Sequence, residues 1–289
     1  PRTLLPFLLA LLERRPELHV HILAWDYAIL YALEREALPS LRFGGRHRRL
    51  HFQLDDMHPA GAAHHQKVVV IDDDVAFSGG LDLTIRRWDT PDHAASDPRR
   101  SDPAGKPYVP MHDVQALVTG SAAAALGDLF RERWAAATEE TLRATPEPRD
   151  HAHLPCDLRD VRVGISRTYA TRRAPTADIR EVERLTLEAI RAARRLIYVE
   201  NQYLTSAAAS EALAERLDDP DGPEVLLVLP EAESGLIEKE SMGVLRAKVL
   251  RMLRSADRHG RLAVLRPELA TDDGPPLPIY VHSKILVVD

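Results

Sequence analysis

With 289 residues, 45% of them apolar, the chain is long enough to bury a sizeable core in one large domain or two of ordinary size. Its 38 basic and 44 acidic side chains leave a net charge of −6, which argues against a protein whose main work is coating nucleic acid. The one cysteine, Cys156, cannot form an internal disulfide, and the apolar opening from Leu4 to Leu12 stops at Glu13-Arg14-Arg15, too short for a membrane span.

In chain order the pattern predicts a helix around Leu4 to Glu13, a β-rich run from His19 to Trp25, a helical stretch, and a second β-rich run from Leu50 to Leu54. His65-Gln66-Lys67 follows, backed by Val68-Val69-Val70-Ile71 and then Asp72. Thr90 to Pro110 is rich in proline and charge and reads as a surface loop. Ala122 to Leu142 reads as a helix carrying Leu126, Leu129, Phe130 and Trp134. A proline-rich break from Thr145 to Pro155 precedes an amphipathic helix, Ile179 to Arg194, and a strand, Arg195 to Val199. A helix from Ser206 to Leu217, a β-rich run from Glu224 to Leu229, more helix and a last β-rich run from Leu262 to Leu265 complete the second half. It closes on His282-Ser283-Lys284, Ile285-Leu286-Val287-Val288 and Asp289.

The pattern H-x-K-x4-D thus occurs twice, each time after a helix, a β-rich run, more helix and another β-rich run. This duplication predicts an α/β fold of two similar lobes, each a mixed sheet flanked by helices, related by a pseudo-twofold. The expected lobes are residues 1–150 and 151–289, with the boundary in the proline-rich break. The first lobe lacks the counterparts of the helix and strand at 179–199, so the expectation is that the chain is a fragment at its start and also after Asp289.

On a strand, residues two apart share a face, so His65 and Lys67 should project together, as should His282 and Lys284. Asp72 and Asp289 lie five residues beyond the lysines, on the opposite face, and are expected to support the strand end rather than touch substrate. Two imidazoles and two ammonium groups brought together suit a phosphodiester. The lysines offset charge growing on the phosphoryl oxygens, one histidine attacks phosphorus, and the other protonates the leaving alcohol. This scheme requires no metal or cofactor.

His65 to Asp72, with Gly79-Gly80-Leu81-Asp82-Leu83 and Arg87-Trp88-Asp89 after it, closely resembles the first H-x-K-x4-D motif of the phospholipase D superfamily. The likeness is to the branch of eukaryotic and related bacterial phospholipases D. Ile197 to Tyr203 is similar to that branch's I-Y-x-E-N-Q-Y/F segment, and Met111-His112-Asp113-Val114 through Trp134 resembles its linking helix region. The resemblance implies hydrolysis of the distal phosphodiester of a glycerophospholipid to phosphatidic acid and a headgroup alcohol, with transfer to other alcohols. It implies His65 as nucleophile, His282 as general acid, Lys67 and Lys284 on the phosphate, and Asp82 at the phosphate site, where many relatives carry asparagine. A phospholipid at a membrane surface is the implied partner. The rivals are a nuclease or phosphatidyl-transferring synthase of the superfamily, and a non-catalytic scaffold.

Other features have simpler readings beside them. Gly79-Gly80 reads as a tight turn or as a place where backbone amides approach phosphate. Asp89 and Glu200 are candidates to orient the motif histidines, or are structural. His64 should face away from His65 by alternation. The basic cluster Arg42, Arg46, His47, Arg48, Arg49 is more often solvated than docked on headgroups, and His151-x-His153 with Cys156 lacks a fourth ligand for zinc.

Overall fold

The computed structural model describes residues 3–26, 42–59, 62–144, 151, 153–169, 179–231, 236–271 and 274–289. The helical stretch expected between Trp25 and Leu50, and most of the break expected at Thr145 to Pro155, lie outside the described residues. The fold is α/β, with several sheets and helices. The chain divides into two compact units, Pro1–Phe77 with Leu117–Arg180, and Ser78–Ala116 with Glu181–Asp289.

In the first unit, helix α1 (Leu4–Arg14) leads into strand β1 (Val20–Trp25), which runs parallel to β2 (Leu50–Asp55) with Val20 opposite Leu50. Leu12 of α1 is fully buried. The guanidinium of Arg49 is also buried and donates to the carbonyls of Leu12, Arg15 and Leu18, which closes the open end of α1. One member of the basic cluster is therefore a helix cap and not a docking group.

Strand β3 (Val68–Ile71) begins one residue after Lys67 and turns into β4 (Val75–Gly79) through Asp72 and Asp73, both at positive φ (53° and 56°). Positive φ at both central residues is the geometry of a tight hairpin turn, and aspartate tolerates it better than most residues. Val68 and Val70 face a small core of Ala76, Ala123 and Leu126, as strand alternation requires. β4 lies between β3 and β5 (Gln115–Thr119), and helix α2 (Ser121–Thr138) packs on β3 and β2. The helix stops four residues short of the expected Leu142. Glu139 adopts the left-handed conformation (φ 64°), and the Thr138 hydroxyl folds back onto the Trp134 carbonyl.

Asp55, at the end of β2, is buried and accepts from Arg133 Nη2 at 2.6 Å, with His64 Nε2 at 3.2 Å. Burial alone would raise its pKa. The hydrogen bonds of His64, Arg133 and the Met57 amide, with the Arg133 charge, outweigh burial and lower it from 3.8 to about 2. A depressed carboxyl pKa contributes stability that is complete above pH 3.8 and lost as pH falls through 2. Urea melts between these limits should show Asp55→Asn shedding about 2 kcal/mol of the wild-type pH slope; an unchanged slope would contradict the pairing.

In the second unit, helix α3 (Glu181–Ala192) precedes β6 (Leu196–Glu200). The expected helix from Ile179 to Arg194 is shorter at both ends. Ile179–Arg180, which belongs to the first unit, pairs antiparallel with Thr168–Tyr169, and the Asp289 carboxylate takes the amides of Arg194, Arg195 and Leu196. Helix α4 (Ala207–Asp218) is capped by Ser206, whose side chain accepts from Ala209 N. Strand β7 (Glu224–Val228), helix α5 (Leu236–Ala256), strand β8 (Leu262–Leu265) and strand β9 (Ile285–Val288) follow. The sheet order is β8-β7-β6-β9, parallel except for β9, which runs antiparallel to β6. Ile197 and Val199 of β6 join Val225, Leu227, Leu213, Leu217 and Leu253 in the core, which leaves Tyr198 and Glu200 together on the other face.

The two units interleave along the chain: residues 78–116 group with 181–289, and residues 117–180 with 1–77. Met111–His112 pairs in parallel with Tyr280–Val281, and His112 and Asp113 bond to Glu200 and His282. These contacts bind the segment after the first motif to the second.

Candidate active site

Neither motif has its histidine and lysine on a strand, as the alternation argument assumed. β3 begins at Val68 and β9 at Ile285, one residue after each lysine. In both motifs the lysine instead turns back on the histidine two residues earlier. Lys67 Nζ donates to the His65 carbonyl at 3.1 Å, and Lys284 Nζ to the His282 carbonyl at 2.6 Å. An ammonium anchored on backbone is a fixed point charge beside its imidazole.

In the first unit, His64 is stacked on Tyr169 and paired with Asp55, behind the motif. Asp72 occupies the hairpin turn, and its neighbour Asp73 holds Arg131 at 2.7 Å. A cavity of about 680 Å³ is lined by Asp72, Asp73, His19, His21, Arg15 and Arg131 among others, and its lining contains neither His65 nor Lys67. His151 pairs with Asp74 at 2.6 Å and is thus committed to a carboxylate.

In the second unit, the buried His282 ring is held at Nδ1 by Asp113 Oδ2, 2.8 Å away. Burial would raise the Asp113 pKa. The His282 hydrogen bond, the Val114 amide and the charges of His282 and Lys284 prevail and hold the carboxyl below its ordinary 3.8. The other ring nitrogen, Nε2, faces Asp82 Oδ2 at 4.0 Å, and Arg87 Nε stands 3.7 Å from that same oxygen. Lys284 Nζ also donates to Gln202 Oε1 at 2.9 Å, and the Gln202 amide in turn donates to the hydroxyls of Tyr203 and Tyr280.

The glycine pair resolves into packing. A side chain on Gly79 would collide with the Val114 carbonyl and Gln115, and one on Gly80 with the Asp113 carboxylate and the His282 carbonyl. The absence of a Cβ lets the Asp113 segment reach His282.

Of the two readings open for Asp89 and Glu200, orienting or structural, the contacts are those of structural acids. Asp89 takes the His93 Nδ1 hydrogen bond at 2.9 Å and also binds Arg100, Thr90 N and Met111 N, so it folds the loop from Thr90 to Pro110 around a buried ion pair. Glu200 accepts from His112 Nε2 at 2.8 Å, Tyr198 Oη at 2.6 Å and the Ser283 hydroxyl. Against burial, which would raise it, these bonds keep the Glu200 pKa low, while burial and the Glu200 carboxylate push the Tyr198 phenol up to about 12. Neither acid holds a motif histidine among the contacts of the described residues. Asp113 does so for His282, and sequence reasoning passed over it. Its signal was present in the Met111-His112-Asp113-Val114 segment, but spacing gives no means of pairing it with a residue 169 positions away.

A family model described as Phospholipase D matches residues 48–219. Among curated relatives, phospholipase D B of Dictyostelium discoideum is 25% identical over 197 residues, covering 54% of this chain and 16% of that protein. Phospholipase D beta 2 of Arabidopsis thaliana is 35% identical over 92 residues, covering 25% and 10%, and human phospholipase D1 is 54% identical over 35 residues, covering 12% and 3%. The chain therefore spans a small part of the relatives it matches. A polyphosphate kinase from Porphyromonas gingivalis aligns with a TM-score of 0.43 at 13% identity, over 93% of this chain and 34% of that one. Among the described residues, no helix is long and apolar enough to cross a membrane.

Proposed function

The chain belongs to the phospholipase D family, and from that premise we propose that it cleaves the headgroup-side phosphodiester of glycerophospholipids to phosphatidic acid and a free alcohol. The observation that carries this reading is the shared geometry of the motifs, in which each lysine is pinned to the carbonyl of its own histidine. We read the two as a duplication, each copy supplying one imidazole and one ammonium group to the chemistry.

His65, neutral, attacks phosphorus through a ring nitrogen, and the P–O bond to the headgroup breaks. His282 gives its Nε2 proton to the departing alkoxide. Asp113, ionised, fixes the proton on Nδ1 and leaves Nε2 for that transfer. Water, deprotonated by the now neutral His282, then attacks the phosphohistidine, releasing phosphatidic acid and restoring both rings. Any small alcohol that takes the place of water gives transphosphatidylation. Lys67 and Lys284 neutralise the phosphoryl oxygens. Asp82 stands beside Nε2, and Arg87 lies against the same carboxylate oxygen. Asp289 holds the backbone amides of Arg194, Arg195 and Leu196, and Asp72 forms the turn after the first motif's strand.

The test is incubation with phosphatidylcholine and ethanol, which should yield phosphatidylethanol as well as phosphatidic acid and choline. Cleavage of DNA with no change in the lipid would replace this reading with a nuclease.

A further inference from the structure

Directly after Asp82, whose carboxylate faces His282, the chain presents a run of apolar side chains to solvent: Leu83 is 61% exposed, Ile85 45% and Trp88 42%, with Val109 at 43%. Three large apolar groups exposed within six residues, with Val109 as a fourth further along the segment, are costly to leave in water without a partner. The stretch is also braced. The Tyr108 hydroxyl donates to the Trp88 carbonyl at 2.8 Å, which ties the residue before Val109 to the backbone at Trp88, and the Arg99 guanidinium lies over the Trp88 ring at 4.6 Å.

The charges around these residues point to one partner. Between residues 82 and 110, Arg86, Arg87, Arg99, Arg100 and Lys106 are matched by Asp82, Asp89, Asp92, Asp97 and Asp102, so the segment carries no net charge. Each arginine pairs with an aspartate of the same segment: Arg86 with Asp102, Arg87 with Asp82, Arg99 with Asp97 and Arg100 with Asp89. In two of these pairs the cation is outermost. The Arg86 and Arg99 side chains are 46% and 65% exposed, while Asp102 and Asp97 behind them are 7% exposed. Guanidiniums at the surface suit lipid phosphates at short range, and the carboxylates beneath cancel the long-range field.

We propose that Leu83, Ile85, Trp88 and Val109 form the surface on which the protein rests on a zwitterionic phospholipid bilayer. The apolar groups enter the interface, and Trp88 and the arginines lie at the headgroup level. The proposal rests on the lipid-cleaving reading, because it explains how a phosphate at the membrane surface comes to lie beside Asp82 and His282. It differs from docking through a basic patch in requiring neither anionic lipid nor low salt.

Pelleting with phosphatidylcholine vesicles tests this without requiring turnover. The protein should bind, and raising salt tenfold should change binding by less than about twofold. The double variant Leu83→Gln, Ile85→Gln should bind about tenfold or more weakly while cleaving a soluble aryl phosphodiester as the wild type does. Leu158→Gln, at a residue 72% exposed in the other unit, should bind normally. Binding that needs anionic lipid, equal loss in Leu158→Gln, or a double variant that changes only self-association in sedimentation would each overturn it. Vesicle binding that depends on Leu83 and Ile85, in a protein that turns over no phospholipid, would support the docking surface and remove the proposed function.

Discussion

His282→Asn is expected to slow phosphatidylcholine turnover by about 10²- to 10⁴-fold, and to leave the first, enzyme-stoichiometric release of p-nitrophenolate from a p-nitrophenyl phosphodiester far less affected. Choline leaves as a poor alkoxide that must be protonated as the P–O bond breaks, whereas p-nitrophenolate departs unaided. His65→Asn should abolish both reactions, because no leaving group substitutes for the nucleophile. The pre-steady-state burst of p-nitrophenolate therefore separates the roles, because later turnovers still need His282 as the base that hydrolyses the phosphohistidine. A p-nitrophenolate burst as damaged in His282→Asn as in His65→Asn would mean that the acid and nucleophile are assigned the wrong way round or that His282 acts otherwise. Circular dichroism on both variants guards against a folding loss: His282 is buried, and asparagine preserves one polar partner for Asp113.

What the sequence made legible and what it hid have different physical origins. Strands β1, β2, β6 and β7 and helices α1 and α4 were readable because hydrophobic periodicity is a local signal that burial rewards residue by residue. The two motifs were readable because they repeat. The conformation of the motifs was not, since whether His65 and Lys67 lie on a strand or just before it depends on where the ladder starts, and Lys67 Nζ closing on the His65 carbonyl is invisible to pattern. The hydrogen-bond partners failed for a related reason. Asp89 and Glu200 are buried acids near the motifs, but which histidine each meets is set by folding over long separations: Glu200 reaches His112 across 88 positions, while Asp89 takes His93 only four away. Composition reveals that a buried acid needs a partner; it does not reveal which.

Gly80 and Asp113 lead to the second large effect. A methyl group at residue 80 would occupy the space of the Asp113 carboxylate and press on the His282 carbonyl. Overpacking of this kind costs about 1–3 kcal/mol in stability, but the greater loss is expected in catalysis, because Asp113 must leave His282 Nδ1. Asp113→Asn keeps the shape and removes the charge. By analogy with other carboxylate-oriented histidines it should lower kcat by about 10²- to 10⁴-fold with little change in KM. The Asp113 carboxyl is held below 3.8, so its contribution is complete above that pH and lost as pH falls further; neutral assays see it fully ionised. If the glycine acts through the aspartate, Gly80→Ala and Asp113→Asn should each cost most of the activity, and the double variant should be little worse than either. Losses that multiply would show instead that residue 80 serves the site by another route, through its own amide.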